Sequence, residues 1–257
     1  MASSQPYLKL VKEEDMSPPS SAPNGKVAVV TGAARGIGRA LVDNLYTRGY
    51  TVVAVVRNLA DVDQLSALAP GKILPIRCDV TEQSTEKVLR EFLEARVPVV
   101  DLLINNAGHG ATKYGIAAMD FNELNRVLAV SCHGPARVVR ACLPHLRKAA
   151  DGAILNISSR FASLEWVATG AVPHEEATYP YRIAKAAMNM FTSCLSVELK
   201  GEGIRVLAVD PGKVRTRFGP KDADTEPQDA AKAIVDLAET HAETGVFIHA
   251  NGERLPW

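Results

Sequence analysis

The chain has 257 residues, of which 47% are hydrophobic and 23% charged, the usage of an ordinary globular protein. Its 29 basic and 29 acidic side chains cancel, so net charge offers no general attraction to nucleic acid or to an anionic membrane. No apolar run approaches the roughly 18 residues of a membrane-spanning helix, and the dispersed Cys78, Cys132, Cys142 and Cys194 form neither a CxxC pair nor a zinc-ligand set with the histidines. Reduced thiols, no metal and a cytoplasmic setting are expected.

Residues 1–24 lack the apolar core of a secretion signal and mix Lys12, Glu13, Glu14 and Asp15 with Pro18, Pro19, Ser20, Ser21 and Pro23. Such a stretch buries little and is expected to be a flexible N-terminal arm before one domain at 25–257. Beyond it, short apolar runs alternate with amphipathic stretches of helical length. Strands are predicted at Val27–Thr31, Val52–Val56, Ile73–Arg77, Val99–Ile104, Ala153–Ile157, Ile204–Val209 and Gly245–His249. Helices are predicted at Ile37–Arg48, Asp61–Leu68, Glu82–Ala95, Asn122–Ala150, Thr178–Lys200 and Pro227–Ala242, the fourth broken or kinked near Pro144. Strands that are almost continuously Val, Ile, Leu and Ala suit a parallel sheet covered on both faces. The alternation predicts an α/β fold with a single doubly wound sheet.

The first strand runs into Gly32-Ala33-Ala34-Arg35-Gly36-Ile37-Gly38 and then a helix. Glycines allow the backbone to approach a ligand closely, and a helix N-terminus favours a phosphate charge. Glycines also serve ordinary turns, yet this cluster sits at the first strand-to-helix junction, where such sheets bind dinucleotides. The second strand ends Val55-Val56-Arg57-Asn58, without the acid that would hold the ribose 2′-hydroxyl of NAD. Arg57, with Arg35 across the turn, offers cationic forks for the additional phosphate of NADP(H), although either could be merely solvated.

With these residues in hand, the chain resembles the short-chain dehydrogenase/reductase family. The motifs occur in family order: Thr31-Gly-Ala-Ala-Arg-Gly-Ile-Gly38, Asp79-Val80, Asn105-Asn-Ala-Gly108, Ile157-Ser-Ser159, Tyr181-Arg-Ile-Ala-Lys185 and Pro211-Gly212. The runs Tyr181 to Asn189, Val197-Glu198-Leu199 to Arg205 and Asn251 to Trp257 are similar to the sniffer or C-factor branch of carbonyl reductases. The resemblance implies a single-domain Rossmann fold with a seven-stranded parallel sheet. It places Gly32, Gly36, Ile37 and Gly38 under the cofactor, Asp79 and Val80 at the adenine, and Asn105, Ala107 and Gly108 along the adenosine side. Pro211, Gly212, Val214 and Thr216 would flank the nicotinamide and pyrophosphate. On residue types alone Asp79 could instead cap a helix near Thr81, and Pro211-Gly212 could simply end a strand. A homodimer or homotetramer, assembled through the long helices, is implied as well.

Tyr181 and Lys185 are four apart and share one helix face. A phenol of ordinary pKa about 10 needs roughly 4 kcal/mol of differential stabilisation to titrate near 7. A neighbouring ammonium with an oxidised nicotinamide could supply it. By resemblance, Tyr181 is the proton donor, Lys185 tunes it and holds the ribose, and Ser159 hydrogen-bonds the substrate carbonyl; Ser158 and Ser163 are the nearby alternatives. Two departures stand out. Ser131, in Val130-Ser-Cys-His-Gly134, occupies the position of the family's relay asparagine. The Ser159-to-Tyr181 interval is long and carries Glu165, Trp166, His174, Glu175 and Glu176, as a flap at the site mouth or a longer surface loop. The reading is an NADPH-dependent reductase of a small ketone or aldehyde, aromatic ones included. A non-redox dehydration or cyclisation, or a non-catalytic NADPH sensor, is the alternative.

Overall fold

A computed structural model describes residues 25–217, 219 and 222–257; the arm expected at 1–24 lies outside the described residues. Seven strands, β1 (Val27–Thr31), β2 (Thr51–Val56), β3 (Ile73–Arg77), β4 (Leu102–Asn105), β5 (Ala153–Ile157), β6 (Arg205–Asp210) and β7 (Val246–His249), form one sheet. Its order is β3-β2-β1-β4-β5-β6-β7, and every pairing is parallel. The predicted doubly wound sheet is therefore present, and strand boundaries shift by up to three residues at the start of β4.

Alternate residues of each strand face opposite layers. Ala28 and Val30 of β1 pack with Leu41 and Leu45 of α1 (Gly36–Thr47), Leu65 of α2 (Leu59–Ser66) and Ile234 of α8 (Pro227–Thr240). Val29 faces the other way, onto Leu89 and Leu93 of α3 (Thr85–Arg96), Cys142 and Leu146 of α5 (Gly134–Leu146) and Leu195 of α7 (Tyr179–Leu199). Both faces are covered, which is why the strands read as unbroken apolar runs. The order reverses between β1 and β4, and the crevice outside their carboxyl ends is the place where such sheets take ligands. Among the described residues no helix is long and apolar enough to cross a membrane.

The predicted helix at 122–150 is three pieces. After α4 (Phe121–Leu128) comes a wide π-helical turn at Ala129–His133, and only then α5. The break falls there and not near Pro144, which lies inside α5 two residues before its end. Pro144 leaves the carbonyl of Arg140 without its usual helical donor, and Arg90 Nη2 donates to that oxygen at 3.1 Å. A side chain from α3 repairs the hydrogen bond that proline removes, so the helix continues. The long interval before Tyr181 holds an unpredicted short helix, α6 (Leu164–Thr169), capped by Ser163. The backbone oxygen of Trp257 accepts from Leu164 N at 3.0 Å and Glu165 N at 3.3 Å. Trp257 itself stacks on Phe247 of β7, with ring centroids 5.7 Å apart.

Leu155 of β5 is fully buried in the central sheet. Leu155→Ala is expected to cost about 2–5 kcal/mol, read as a lowered midpoint with unchanged slope in urea unfolding.

Candidate functional site

The glycine turn is set by contact between the ends of β1 and β4. Thr31 Oγ1 accepts from the backbone N–H groups of Asn106 and Ala107, both at 3.0 Å. Asn106 Nδ2 donates to Thr31 O at 2.9 Å. A Cβ on Gly38 would sit 2.1 Å from Gly32 O, so only glycine lets α1 start this close to the strand. A Cβ on Gly36 would come 3.5 Å from the Thr216 methyl, which shows the segment after β6 folding over the turn. Gly32, Gly38 and Ala107 thus meet at the β1–β4 crevice, with Gly36 against Thr216. Val214 is buried and bridges to Thr225, which anchors this segment.

The turn leaves the start of α1 unopposed by any acid. Arg35 occupies the N-cap of α1 without a side-chain cap, and no acidic residue lies in the first turn, so the leading N–H groups keep their partial positive charge. Arg35 and Arg57 are exposed, and neither pairs with a carboxylate among the described residues. Arg77, which the sequence reading passed over, pairs in register with Val56. It borders the same shallow pocket as Arg57 and Asp79. Its signal was available only as a strand-end residue whose neighbour is set by the sheet.

Three sites sit differently from the simplest expectation. Asp79 Oδ1 is committed locally, accepting from Thr81 N at 3.0 Å and Thr81 Oγ1 at 2.8 Å; this is a local turn and not the helix cap considered for it, since α3 starts at Thr85 behind Ser84. Val80 is buried, and its Cγ2 lies 3.0 Å from where Gly134 would carry a Cβ. Asn105 points into the sheet interior, donating to Asn156 Oδ1 at 2.8 Å, while Asn156 donates to Thr192 Oγ1 at 2.8 Å. The neighbour Asn106, not singled out from sequence, is the asparagine that ties the glycine turn.

The second centre lies at the carboxyl ends of β5 and β6. Thr178 caps α7, its Oγ1 accepting from Tyr181 N at 3.3 Å, which places Tyr181 in the first helical turn and Lys185 one turn on. Ser159 lies near enough to the Tyr181 hydroxyl to favour its ionised form. Of the alternative serines, Ser158 donates to Asn189 Oδ1 at 2.6 Å, and Ser163 Oγ caps α6 by accepting from Trp166 N at 3.1 Å. Ser159 Oγ also accepts from Phe161 N, at 3.4 Å, and is the serine of the three that acts on the Tyr181 hydroxyl. Asn189 was detectable as the next residue of the Tyr181–Lys185 face, four after Lys185.

The electrostatics of the chain's own groups act on the tyrosine and the lysine in opposite directions. Burial pushes the Tyr181 phenol up to about 12; the nearby Ser159 hydroxyl opposes this, and the negative charge of Asp210 adds to it. Lys185 Nζ lies 5.8 Å from the Tyr181 ring centroid but donates to Ile157 O at 2.7 Å. Burial pulls its amine down to about 8, against the pull of Asp210. Desolvation of the phenolate is thus the largest influence on Tyr181 and favours the neutral phenol.

Ser131 lies in the wide turn before α5, fully buried, and its hydroxyl has no hydrogen-bond partner among the described residues. In the interval before α7, Arg182 donates to Pro173 O at 2.6 Å and Ala177 O at 3.2 Å and lies 5.1 Å above the Phe161 ring. Arg160 pairs with Glu176 at 2.9 Å. The interval is thus fastened at several points. Trp166, expected beside the mouth, packs instead on Phe247 and Leu255. His174 meets the edge of Tyr179, and the described residues hold no cluster of three metal-ligating side chains.

Comparison with known proteins agrees with this arrangement. The short chain dehydrogenase family model matches residues 26–227. A short chain dehydrogenase of Pseudocercospora fijiensis is 32% identical over 205 residues, 77% of this chain and 62% of its own length. The chain thus spans less than two thirds of that relative. Among solved structures, the carbonyl reductase Sniffer of D. melanogaster superposes with a TM-score of 0.81 at 26% identity, over 90% of this chain and 99% of that one. The NADPH-bound carbonyl reductase from chicken fatty liver does so with a TM-score of 0.80 at 26% identity, over the same shares. The chain belongs to the short-chain dehydrogenase family of oxidoreductases.

Gly38→Ala is expected to cost about 1–3 kcal/mol, as the new methyl forces the turn apart. Gly201→Ala, where a Cβ meets nothing within 4 Å, should stay within about 0.5 kcal/mol. Thermal unfolding of the two variants checks the difference.

Proposed function

We propose that this chain is an NADP(H)-dependent carbonyl reductase acting on small ketones or aldehydes. The observation that carries the reading is Lys185 Nζ at 5.8 Å from the Tyr181 ring, one turn further along α7, with Ser159 at the same sheet edge beside a glycine turn whose helix start carries no acid. The residues fit the dinucleotide. Gly32, Gly36, Ile37 and Gly38 would hold its pyrophosphate, Arg35, Arg57 and Arg77 its additional phosphate, and Asp79, Val80, Asn105, Ala107 and Gly108 its adenosine half. Pro211, Gly212, Val214 and Thr216 would flank the nicotinamide, and Lys185 would hold the ribose. The NADPH bound by the chicken liver relative supports this cofactor.

When bound, the reduced nicotinamide supplies the hydride. Ser159 donates to the substrate carbonyl and fixes its orientation as negative charge grows on oxygen. Tyr181 delivers its hydroxyl proton to that oxygen. A phenol pushed up to about 12 is fully protonated at neutral pH, so the resting state is the acid that reduction needs, and donation requires no prior ionisation. The first turn of α7 favours the phenolate left behind. Lys185, with its amine near neutrality, can share and return a proton. The exposed Ile183, Met190 and Val197, seven apart on the outer side of α7, support the homo-oligomer that the resemblance implied.

Consumption of NADPH is to be followed across a panel of ketones, diketones, quinones and aldehydes. Tyr181→Phe is expected to lose roughly 10²- to 10⁴-fold in kcat with NADPH affinity kept. A wild type that binds NADPH and consumes none across the panel would overturn the reductase reading in favour of a non-redox reaction or a sensor. Arg57→Ala is expected to weaken NADPH binding roughly 10- to 100-fold and to leave NADH binding nearly unchanged, measured by fluorescence titration.

A further inference from the structure

Ser159 and Tyr181 reach the reacting centre from the two ends of the interval between β5 and α7, and no single element joins them. Ser159 opens the short turn Arg160–Ala162, its carbonyl accepting from Ala162 N at 2.8 Å and its Oγ from Phe161 N at 3.4 Å. Tyr181 lies in the first turn of α7, which closes as Arg182 N donates to Thr178 O at 3.1 Å. One side chain spans the two turns. Arg182, 8% exposed, holds its guanidinium carbon 5.1 Å from the centre of the Phe161 ring, inside the roughly 6 Å over which an aromatic face attracts a cation. We propose that Arg182 is a positioning residue: it fastens the turn that carries Ser159 to the helical turn that carries Tyr181, and so sets the spacing of the two hydroxyls.

The same guanidinium gathers the chain that leads into α7. Its Nη2 donates to Pro173 O at 2.6 Å and His174 O at 3.4 Å, and its Nε donates to Ala177 O at 3.2 Å. Bonds from a charged donor are stronger than neutral ones, and only a planar fork can serve several carbonyls and a ring at once. Its Nη1 is buried with no acceptor among the described residues, a cost that these contacts must offset. Arg160 also lies 5.1 Å from the Phe161 ring centroid and pairs with Glu176 at 2.9 Å. That pair is open to solvent and screened by it, whereas the bonds of Arg182 are made out of water.

A substrate carbonyl has to meet Ser159 and Tyr181 together, and a displacement of about 1 Å between groups that act together costs roughly 100-fold in rate. The bonds of Arg182 go to no residue of the glycine turn. Its loss is therefore felt in kcat and not in the affinity for NADPH. The consequence for turnover rests on the reductase reading, whereas the fastening itself is a property of the cofactor-free chain.

Amide hydrogen exchange of the cofactor-free chain, followed by NMR, tests the fastening. The amides at 161 and 162 report the Ser159 turn, and that of Leu155 in β5 reports the sheet. Arg182→Met keeps an unbranched side chain without donors or charge; it is expected to speed exchange at 161 and 162 roughly tenfold and to leave Leu155 unchanged. Arg182→Lys, which keeps a cation for the ring, is expected to fall between. Phe161→Leu is expected to act as Arg182→Met does, and the double variant to change less than the sum of the two, because both remove one contact. With a carbonyl substrate, Arg182→Met is expected to lose roughly 10- to 100-fold in kcat per NADPH-binding chain, with the Kd for NADPH kept and part of the loss recovered in Arg182→Lys. Unmoved amides overturn the proposal, as does an unchanged kcat. Equal acceleration at Leu155 overturns it too, since the residue would then serve the whole fold, and so does failure of both Arg182→Met and Phe161→Leu to fold. Faster exchange at 161 and 162 alone, in a chain that consumes no NADPH, upholds the fastening and removes the reductase reading.

Discussion

The site depends on how closely the end of β1 approaches the end of β4. Thr31 Oγ1 holds two successive N–H groups of the β4 loop, and the Asn106 amide closes back on the Thr31 carbonyl. These bonds bring two loops together at the point where the strand order reverses. A crevice at a reversal opens because the neighbouring connections leave to opposite faces. The glycines follow from that approach: with Gly32 O at 2.1 Å from a Cβ on Gly38, any side chain there would separate α1 from the strand it must leave.

The reacting centre follows a different logic, in which burial sets the proton inventory. Lys185 is buried and Tyr181 half-buried, and the segment before α7 is held by Arg182 and the Arg160–Glu176 pair. Desolvation pushes the phenol up and the amine down, in each case toward the neutral form. The short distance between a tyrosine and a lysine therefore does not by itself create a phenolate. A lysine pulled down to about 8 is still mostly ammonium at neutral pH, and desolvation remains the largest influence on the phenol beside it.

Much of the fold was readable because parallel strands covered on both faces are continuous apolar runs, and β1, β3 and β5 begin and end where their sequence says. The site residues were readable where they lie within one turn of one another, as in the glycine turn and the Tyr181–Lys185 pair. Reading failed where a distant partner decides the outcome. Pro144 looks like a helix breaker, but Arg90 supplies the missing donor from α3. The wide turn at Ala129–His133 carries no proline, and its only composition cue is Gly134, whose neighbour Val80 is remote in sequence. Trp166 belongs to a small cluster with Phe247 and Leu255 that no local pattern connects.

Local chemistry in the sequence determined the elements, the glycine turn with its arginines, and the identity of the helix that carries Tyr181 and Lys185. Periodicity, capping and backbone freedom act over a few residues and are written there. The tertiary structure alone decided which of three serines meets the tyrosine and that Arg77 joins Arg57. Each of these depends on strand register and on desolvation. Both are properties of packed neighbours far apart in the chain, and burial sets the energy of a charge only after those neighbours have excluded water.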